Sequence, residues 1–299
     1  MAAAVRFVIL LPGADDKAKG GNPLAPDMFD YRASNTFNYF SELNPERRAL
    51  IRAVQEQGEA GTDLDAMLGV AGAAADEAVE INRSVFEAPL MAAIERYGPG
   101  EMYRAMEFET LPTGAQRRLL ENGVVVSGMF GLLRPDDLTP DYRLPIDAVV
   151  DDIGAVAAYW REIVSPYLDR LVEDRIVWNL LPEKHREVWV DGEKYDRMFS
   201  VQFIRDDAGE RRPAPEGDAE LLGSFVHYVV ERTAETPAAL LDWDAPGGYE
   251  PEFAVAEEKA ATLEYVWRAD WAERRAARHA LRAEETRPRQ PAAEEEEEG

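Results

Sequence analysis

The stretch VVVSGMFGLLRPDDLTPDYRL, residues 124–144, joins an apolar run to a dense group of charges. The three valines predict a buried strand, because a short run of β-branched residues bounded by turn residues is typical of strands inside a sheet. After further glycine and apolar residues come the polar side chains Arg134, Asp136, Asp137, Asp141, Tyr142 and Arg143. Charges this close to a buried strand indicate either the wall of a site or an internal ion-pair network that fastens a loop to the core.

Each polar side chain of this stretch has a candidate role. Pro135 restricts the backbone beside Arg134. A carboxylate of the pair at 136–137 would orient an arginine through two parallel hydrogen bonds, and Tyr142 would present a hydroxyl group or an aromatic face. The candidate ligand-binding side chains are Ser127, Arg134 and Arg143, and the candidate catalytic side chains are Asp136, Asp137 and Tyr142. The spacing of these residues supports an internal ion-pair network equally well.

A second candidate segment follows the first apolar run of the chain. VRFVILL, residues 5–11, is closed by Pro-Gly and predicts a buried strand. Lys17 comes soon after it, and ligands of α/β sheets gather outside the carboxyl ends of the strands. Lys17 would pair with an anion, while Asp15 or Asp16 would accept a hydrogen bond from the ligand. The alternative is an exposed, charged turn.

The order of elements predicts one mixed α/β domain over residues 1–268, because strand and helix patterns alternate without a linker. Asn44 is predicted as the N-cap of a helix, and residues 206–220 are predicted as a loop by their composition. Residues 269–299 are predicted as an added helix with a disordered acidic tail. On that helix the arginines Arg274, Arg275, Arg278 and Arg282 form a candidate nucleic-acid stripe, or else a solvated face.

Composition narrows the classes of function. The chain has 33 basic and 58 acidic residues, a net charge of −25, and removing the glutamates at 294–298 leaves −20. A body this acidic repels a phosphate backbone, which argues against DNA. The lack of cysteine excludes disulfides and thiolate metal sites, and the three histidines are too far apart to predict a metal centre. We predict no cofactor, no membrane span and a cytoplasmic location.

Several blocks of the sequence resemble the YaaA family, known for a bacterial peroxide-stress protein. SGMFGLLRPDDLTPDYRL is similar to the family's signature, and LLPGADDKAKGG at 10–21 looks like its L-P-P-S-E-G-K-x-x-G-G. Supporting blocks are FSELNPERR, DAMLGV…EINR and the stretch at 88–111. The resemblance implies a single-domain α/β fold with a mixed sheet wrapped by helices. It also implies protection against peroxide, linked to limiting free iron, and binding of double-stranded DNA in a basic cleft, without an established catalytic mechanism.

The family pattern matches five polar positions, from segments that would share one cleft: Lys17, Arg134, Asp137, Tyr142 and Arg143. The chain also departs from the pattern. Ala14 replaces the family's serine before the lysine, and His185 replaces a tyrosine. The segment EGDAELLGSFVHYVV, at 216–230, has no lysine or arginine where the family is basic.

These observations leave three hypotheses. The chain is a stress protein that binds nucleic acid, or a divergent binding protein or enzyme whose cleft takes a small anionic or nucleoside-like ligand. The third hypothesis is a degenerate member that acts through its acidic tail. Whether the chain is an enzyme stays open.

Overall fold

The computed structural model describes residues 7–25, 39–214, 218–253 and 258–285. Its strands are β1 (Phe7–Pro12), β2 (Met91–Ala92), β3 (Gly123–Ser127), β4 (Gly131–Leu133), β5 (Leu138–Thr139), β6 (Val149–Val150), β7 (Gly154–Ala155), β8 (Ile176–Asn179), β9 (Arg197–Asp207), β10 (Glu210–Pro213), β11 (Glu250–Pro251) and β12 (Ala260–Trp267). Its helices are α1 (Asn44–Ala60), α2 (Leu64–Leu68), α3 (Ala73–Arg83), α4 (Ala93–Arg96), α5 (Glu101–Ala105), α6 (Thr113–Asn122), α7 (Val156–Val172), α8 (Glu183–Arg186), α9 (Asp218–Arg232) and α10 (Trp271–Glu285).

Eight strands form one mixed sheet in the order β11–β12–β9–β8–β1–β3–β4, with β10 paired to β9. The five strands β12, β9, β8, β1 and β3 lie side by side and run parallel to one another. Strand β4 is antiparallel to β3, and β11 is antiparallel to β12. The predicted α/β fold with a mixed sheet and surrounding helices is therefore confirmed.

Strand β1 lies inside the sheet, between β8 and β3, and its sequence explains its place. The five residues at 7–11 are all fully buried. Because successive side chains of a strand point to opposite faces, complete burial means that both faces of the sheet are covered here. Helices α6 and α7 both contact β1. A continuous apolar run suits such a strand, whereas alternating apolar and polar residues are typical of a strand with one face exposed to solvent.

The turn from β3 into β4 depends on two glycines. Gly131 has a φ of +68°, and a Cβ there would lie 2.8 Å from the Trp160 ring. The Gly128 carbonyl accepts a hydrogen bond of 2.7 Å from the Trp160 indole, and any Cβ on Gly128 would clash with the backbone of Leu144. The glycines therefore let helix α7 and the chain at 144 approach the turn closely.

Two local predictions were wrong. The predicted loop at 206–220 contains the end of β9, the strand β10 and the start of α9. Ala208 and Gly209, with φ of +57° and +98°, form a two-residue turn that closes a hairpin. Asn44 is the first residue of α1 and not its N-cap, because a 3₁₀ turn runs directly into the helix and Leu43 takes the cap position. The Asn44 side chain instead accepts a hydrogen bond from Arg47.

Helix α10 packs back onto the body of the protein. The Trp271 ring lies where a side chain on Gly248 would stand, and Arg275 lies against the same ring at 5.1 Å. The glutamate run of the tail lies outside the described residues. The domain boundary at 268/269 stays a prediction.

Candidate functional site

Lys17 is the charged residue at the centre of the candidate site. It follows β1 at the carboxyl edge of the sheet, and only 9% of its surface is exposed. Its Nζ donates a hydrogen bond of 3.3 Å to the Asp15 carbonyl and lies 4.3 Å from the centre of the Tyr142 ring. Across the described residues Lys17 forms no ion pair with a carboxylate. Burial, together with the nearby Arg143 guanidinium, lowers the pKa of Lys17 to about 8. At pH 7 the side chain is therefore mostly a cation, in a place with little water.

A chain of buried hydroxyl groups lies beneath Lys17. The Tyr142 hydroxyl is 2.7 Å from the Tyr97 hydroxyl and 2.8 Å from Ser127 Oγ. Ser127 Oγ in turn accepts a hydrogen bond from the Phe130 amide at 3.2 Å. Burial raises the pKa of Tyr142 well above its usual value, so the phenol stays neutral. Tyr142 therefore offers Lys17 its ring face, with a cation–π contact, and uses its hydroxyl to hold that ring in place.

Arg143 is the second cation of this edge. Its backbone is fixed by Asn82, whose side chain accepts from the Arg143 amide and donates to the Arg143 carbonyl, both at 2.7 Å. Its guanidinium pairs with Asp141, and the two side chains are 24% and 17% exposed. This leaves part of the planar fork of donors at the surface, which suits a carboxylate or a phosphate.

Lys17 and Arg143 both line a cavity of about 640 Å³. Its other polar lining residues are Asp15, Asp16, Lys19, Glu77, Asp147 and Lys184. Lys19 is paired with Glu77 at 3.0 Å, and Lys184 with Asp147 at 3.4 Å. Because Lys19, Lys184 and Arg143 already have carboxylate partners, Lys17 is the cation without one among these lining residues. The lining also includes the carboxylates of Asp15 and Asp16.

Arg134, Asp136 and Asp137 form a separate cluster at the opposite end of β3. Arg134 Nη1 donates to the carbonyl of Gly123, the first residue of β3, at 2.9 Å. Asp137 accepts from the amides of Arg134 at 2.7 Å and Tyr39 at 2.6 Å, and burial raises its pKa to about 6. Strand β4 runs antiparallel to β3 and carries the chain back along it, so roughly 13 Å of strand separates this cluster from Ser127. The structure thus divides the predicted cleft between two edges of the sheet.

The clamp residues, which we define as Arg47, Asn82, Arg96 and Tyr97, hold the signature stretch in place. Arg47 donates to the carbonyls of Phe130 at 3.0 Å and Leu132 at 2.6 Å. Arg96 donates to the carbonyls of Thr139 at 3.2 Å and Gly20 at 3.0 Å. All four are buried. Sequence reasoning did not single them out, although all four lie in the supporting blocks of the family resemblance.

The predicted nucleic-acid stripe faces carboxylates of the body. Arg274 and Arg278 pair with Glu250 at 3.0 and 3.1 Å. Arg278 also reaches Asp244 at 3.0 Å, and Arg275 lies 3.7 Å from the same carboxylate. Arg282 lies in α10 as well. The three described arginines therefore lie against two carboxylates of their own protein.

No helix in the described ranges is long and apolar enough to span a membrane. Within the same ranges, no three histidine, cysteine or acidic side chains are grouped as a metal site would require.

The fold and this edge define a class: an α/β protein with a cavity lined by charged residues at the carboxyl end of an inner strand of its sheet. A family model described as peroxide stress protein YaaA matches residues 7–253, and the chain belongs to that family.

The chain is also similar to curated relatives. A UPF0246 protein of Streptomyces coelicolor is 28% identical over 159 residues, which cover 46% of this chain and 61% of that protein. An uncharacterized protein of Campylobacter jejuni is 23% identical over 168 residues, 56% of this chain and 65% of its own length. A UPF0246 protein of Rickettsia bellii is 20% identical, with 52% and 64% covered. The chain thus spans somewhat less than two thirds of the length of these relatives.

Proposed function

We propose that this protein is a cytoplasmic member of the peroxide stress response that acts by binding a small anionic molecule in the Lys17 cavity. The observation that carries the proposal is Lys17 itself, a cation that is nine-tenths buried without a carboxylate partner among the described residues. A buried charge destabilises a protein unless it is paired. A bound carboxylate or phosphate supplies the missing partner.

The cavity divides the work of binding among its residues. Lys17 provides a point charge, and Arg143 provides two or more donors in a plane. The Tyr142 ring stabilises the ammonium group from below, at 4.3 Å. A lysine with a pKa near 8 is about one-tenth neutral at pH 7, so the same amine is available as a base or nucleophile if the bound molecule reacts. Asp136 and Asp137 lie at the other end of β3 and take no part in this proposal.

The test is calorimetric titration with inorganic phosphate and with succinate. For succinate, whose carboxylates are ionised near neutral pH, we expect an affinity that is constant around pH 7 and falls by up to about tenfold per pH unit above pH 8, because the anion requires the protonated amine. Lys17→Met should abolish binding, and Lys194→Met, which changes an exposed cation that lines neither this cavity nor its neighbour, should preserve it. Binding that persists in Lys17→Met, or no binding of either anion, contradicts the proposal.

The cellular role has its own test. A strain that lacks the protein should be more sensitive to hydrogen peroxide, and the wild-type chain should restore resistance while Lys17→Met should not. Restoration by both would separate the stress role from the cavity.

The double-stranded DNA implied by the family resemblance is the alternative partner. The basic cleft that DNA binding requires would have to be formed by α10, whose described arginines are paired with Asp244 and Glu250. The small-anion proposal therefore fits these contacts better.

A further inference from the structure

A second cavity adjoins the Lys17 cavity. It has a volume of about 550 Å³ and shares Asp15, Asp16 and Lys184 with its neighbour. The rest of its lining is mostly apolar and includes Met102, Leu180, Leu181, Val201, Ala219 and Leu222. The two cavities thus meet at these three residues, and the lining changes there from mainly charged to mainly apolar.

His185 is the unusual residue of this second cavity. It is 7% exposed, and its Nδ1 is buried without a hydrogen-bond partner. In the described part of the chain its ring makes no hydrogen bond. Burial, with the nearby Lys184 ammonium, lowers the pKa of His185 to about 4, so the imidazole is neutral at pH 7 and offers one donor and one acceptor. A neutral ring of this kind among apolar walls suits an uncharged, planar partner.

The boundary between the cavities has a third chemistry. Asp15 and Asp16 are exposed, and neither carboxylate makes a hydrogen bond to the described residues. Free carboxylates beside an anion site repel the anion itself, but they accept hydrogen bonds from hydroxyl groups. A simple fatty acid would satisfy neither these carboxylates nor His185. A ligand that spans the Lys17 cavity, the Asp15 and Asp16 boundary and the His185 cavity therefore needs an anionic end, a hydroxylated middle and a heterocycle.

We infer that the two cavities together bind one nucleoside monophosphate-like ligand, with its phosphate at Lys17 and Arg143, its sugar hydroxyls at Asp15 and Asp16, and its base in the His185 cavity. The inference rests on the proposed function, since the phosphate occupies the proposed anion site. Each cavity has the volume of an ordinary small-ligand site, so neither is too small for its share.

Titration with the four ribonucleoside 5′-monophosphates and with inorganic phosphate tests the inference. At least one nucleotide should bind about tenfold or more tightly than phosphate, because the base adds buried contacts and a hydrogen bond to His185. His185→Phe, which keeps a planar ring but removes its hydrogen-bonding groups, should reduce that advantage to about threefold or less while phosphate binds as in the wild type.

A second variant fills the cavity without touching the histidine. Ala219→Phe places a large ring on the cavity wall, so it should remove the nucleotide's advantage over phosphate. Glu220→Phe adds the same ring at the neighbouring exposed position of α9, outside the cavity lining, and should leave both affinities unchanged.

The outcomes separate the two proposals. If phosphate binds but no nucleotide exceeds it, or if Ala219→Phe binds the nucleotide as the wild type does, the inference is overturned and the anion site stands. If neither phosphate nor any nucleotide binds, the proposed function fails, and the inference fails with it.

Discussion

At the scale of single residues, the candidate site contains a buried charge that destabilises the folded protein. The folded protein places the Lys17 ammonium among buried groups, where its pKa is about 8 instead of 10.5. The folded state therefore binds this proton less tightly than the unfolded chain does, and stability rises with pH between about 8 and 10.5. Below that window the protonated amine lowers the free energy of unfolding by about 3 kcal/mol. The ligand-free protein bears this destabilisation.

Lys17→Met should therefore stabilise the ligand-free protein at pH 7. The expected gain is about 1–3 kcal/mol in the free energy of unfolding, because methionine fills a similar space without a charge. Urea denaturation at pH 7 measures it. Lys19→Met is the matched control, since the Lys19 side chain is 76% exposed, and should change stability little. A loss of stability in Lys17→Met would mean that the ammonium group is compensated in the folded protein.

Arg134→Ala should act on stability and leave ligand binding intact. Its guanidinium bonds to Gly123 at 2.9 Å and lies 5.6 Å from the Phe40 ring, and it lines neither cavity. We expect a loss of about 1–3 kcal/mol in the free energy of unfolding, with phosphate affinity unchanged within about twofold.

Arg143→Ala provides the contrast for Arg134→Ala, because it removes a lining residue of the Lys17 cavity and should weaken phosphate binding. If Arg134→Ala abolishes phosphate binding while the protein stays as stable as the wild type, the single cleft expected from the sequence is restored.

At the scale of elements, the signature stretch is an irregular segment held by partners from elsewhere in the chain. Arg47, Asn82 and Arg96 bond to its backbone carbonyls and amides and so fix its path, whereas Tyr97 bonds to the Tyr142 hydroxyl. Buried backbone groups need such partners wherever a segment lacks regular secondary structure. The signature and the supporting blocks are thus two halves of one structural unit.

Asn82→Ala should reveal how this unit supports the cavity. It removes both hydrogen bonds that fix the Arg143 backbone, so we expect a loss of about 2–3 kcal/mol in stability and weaker phosphate binding. Gln116→Ala is the control, because it removes a half-buried amide that donates to the Phe108 carbonyl at 3.2 Å and contacts neither Asn82 nor Arg143. Equal phosphate affinity in both variants would show that Asn82 acts on stability alone.

The sequence predicted β1, β3 and the place of Lys17 because each depends on a local apolar run followed by polar residues. It could not separate Arg134 from Arg143, since their separation depends on three residues, GLL at 131–133, pairing backwards onto β3. Nor could it show that Tyr97 bonds to Tyr142, because that contact joins positions 45 residues apart. Local sequence patterns predict strands and helices, whereas the arrangement of the site residues depends on packing between distant parts of the chain.

At the scale of the whole molecule, charge decides which partners approach. The net charge of −25 repels a polyanion at long range, whereas a small anion close to Lys17 is exposed mainly to local charges within a Debye length of about 8 Å at physiological salt. A protein can therefore be acidic overall and still bind a single phosphate group.

A fluorescently labelled DNA duplex should accordingly show no binding at physiological salt in an anisotropy titration. Neither Arg274→Ala nor Arg278→Ala should change that result, because both side chains pair with Glu250. Binding that weakens steeply between low and high salt, and that is lost in these variants, would instead establish α10 as a nucleic-acid surface.

The position of β1 also has a consequence for synthesis on the ribosome. This strand lies inside the sheet, yet its partners are Gly123–Ser127 and Ile176–Asn179. At typical translation rates, one edge of its apolar run waits about 6 to 23 s for β3, and the other waits about 8 to 33 s for β8. A nascent chain of this protein therefore offers chaperones a long-lived, early binding site, and a chain that stops short of β8 should aggregate.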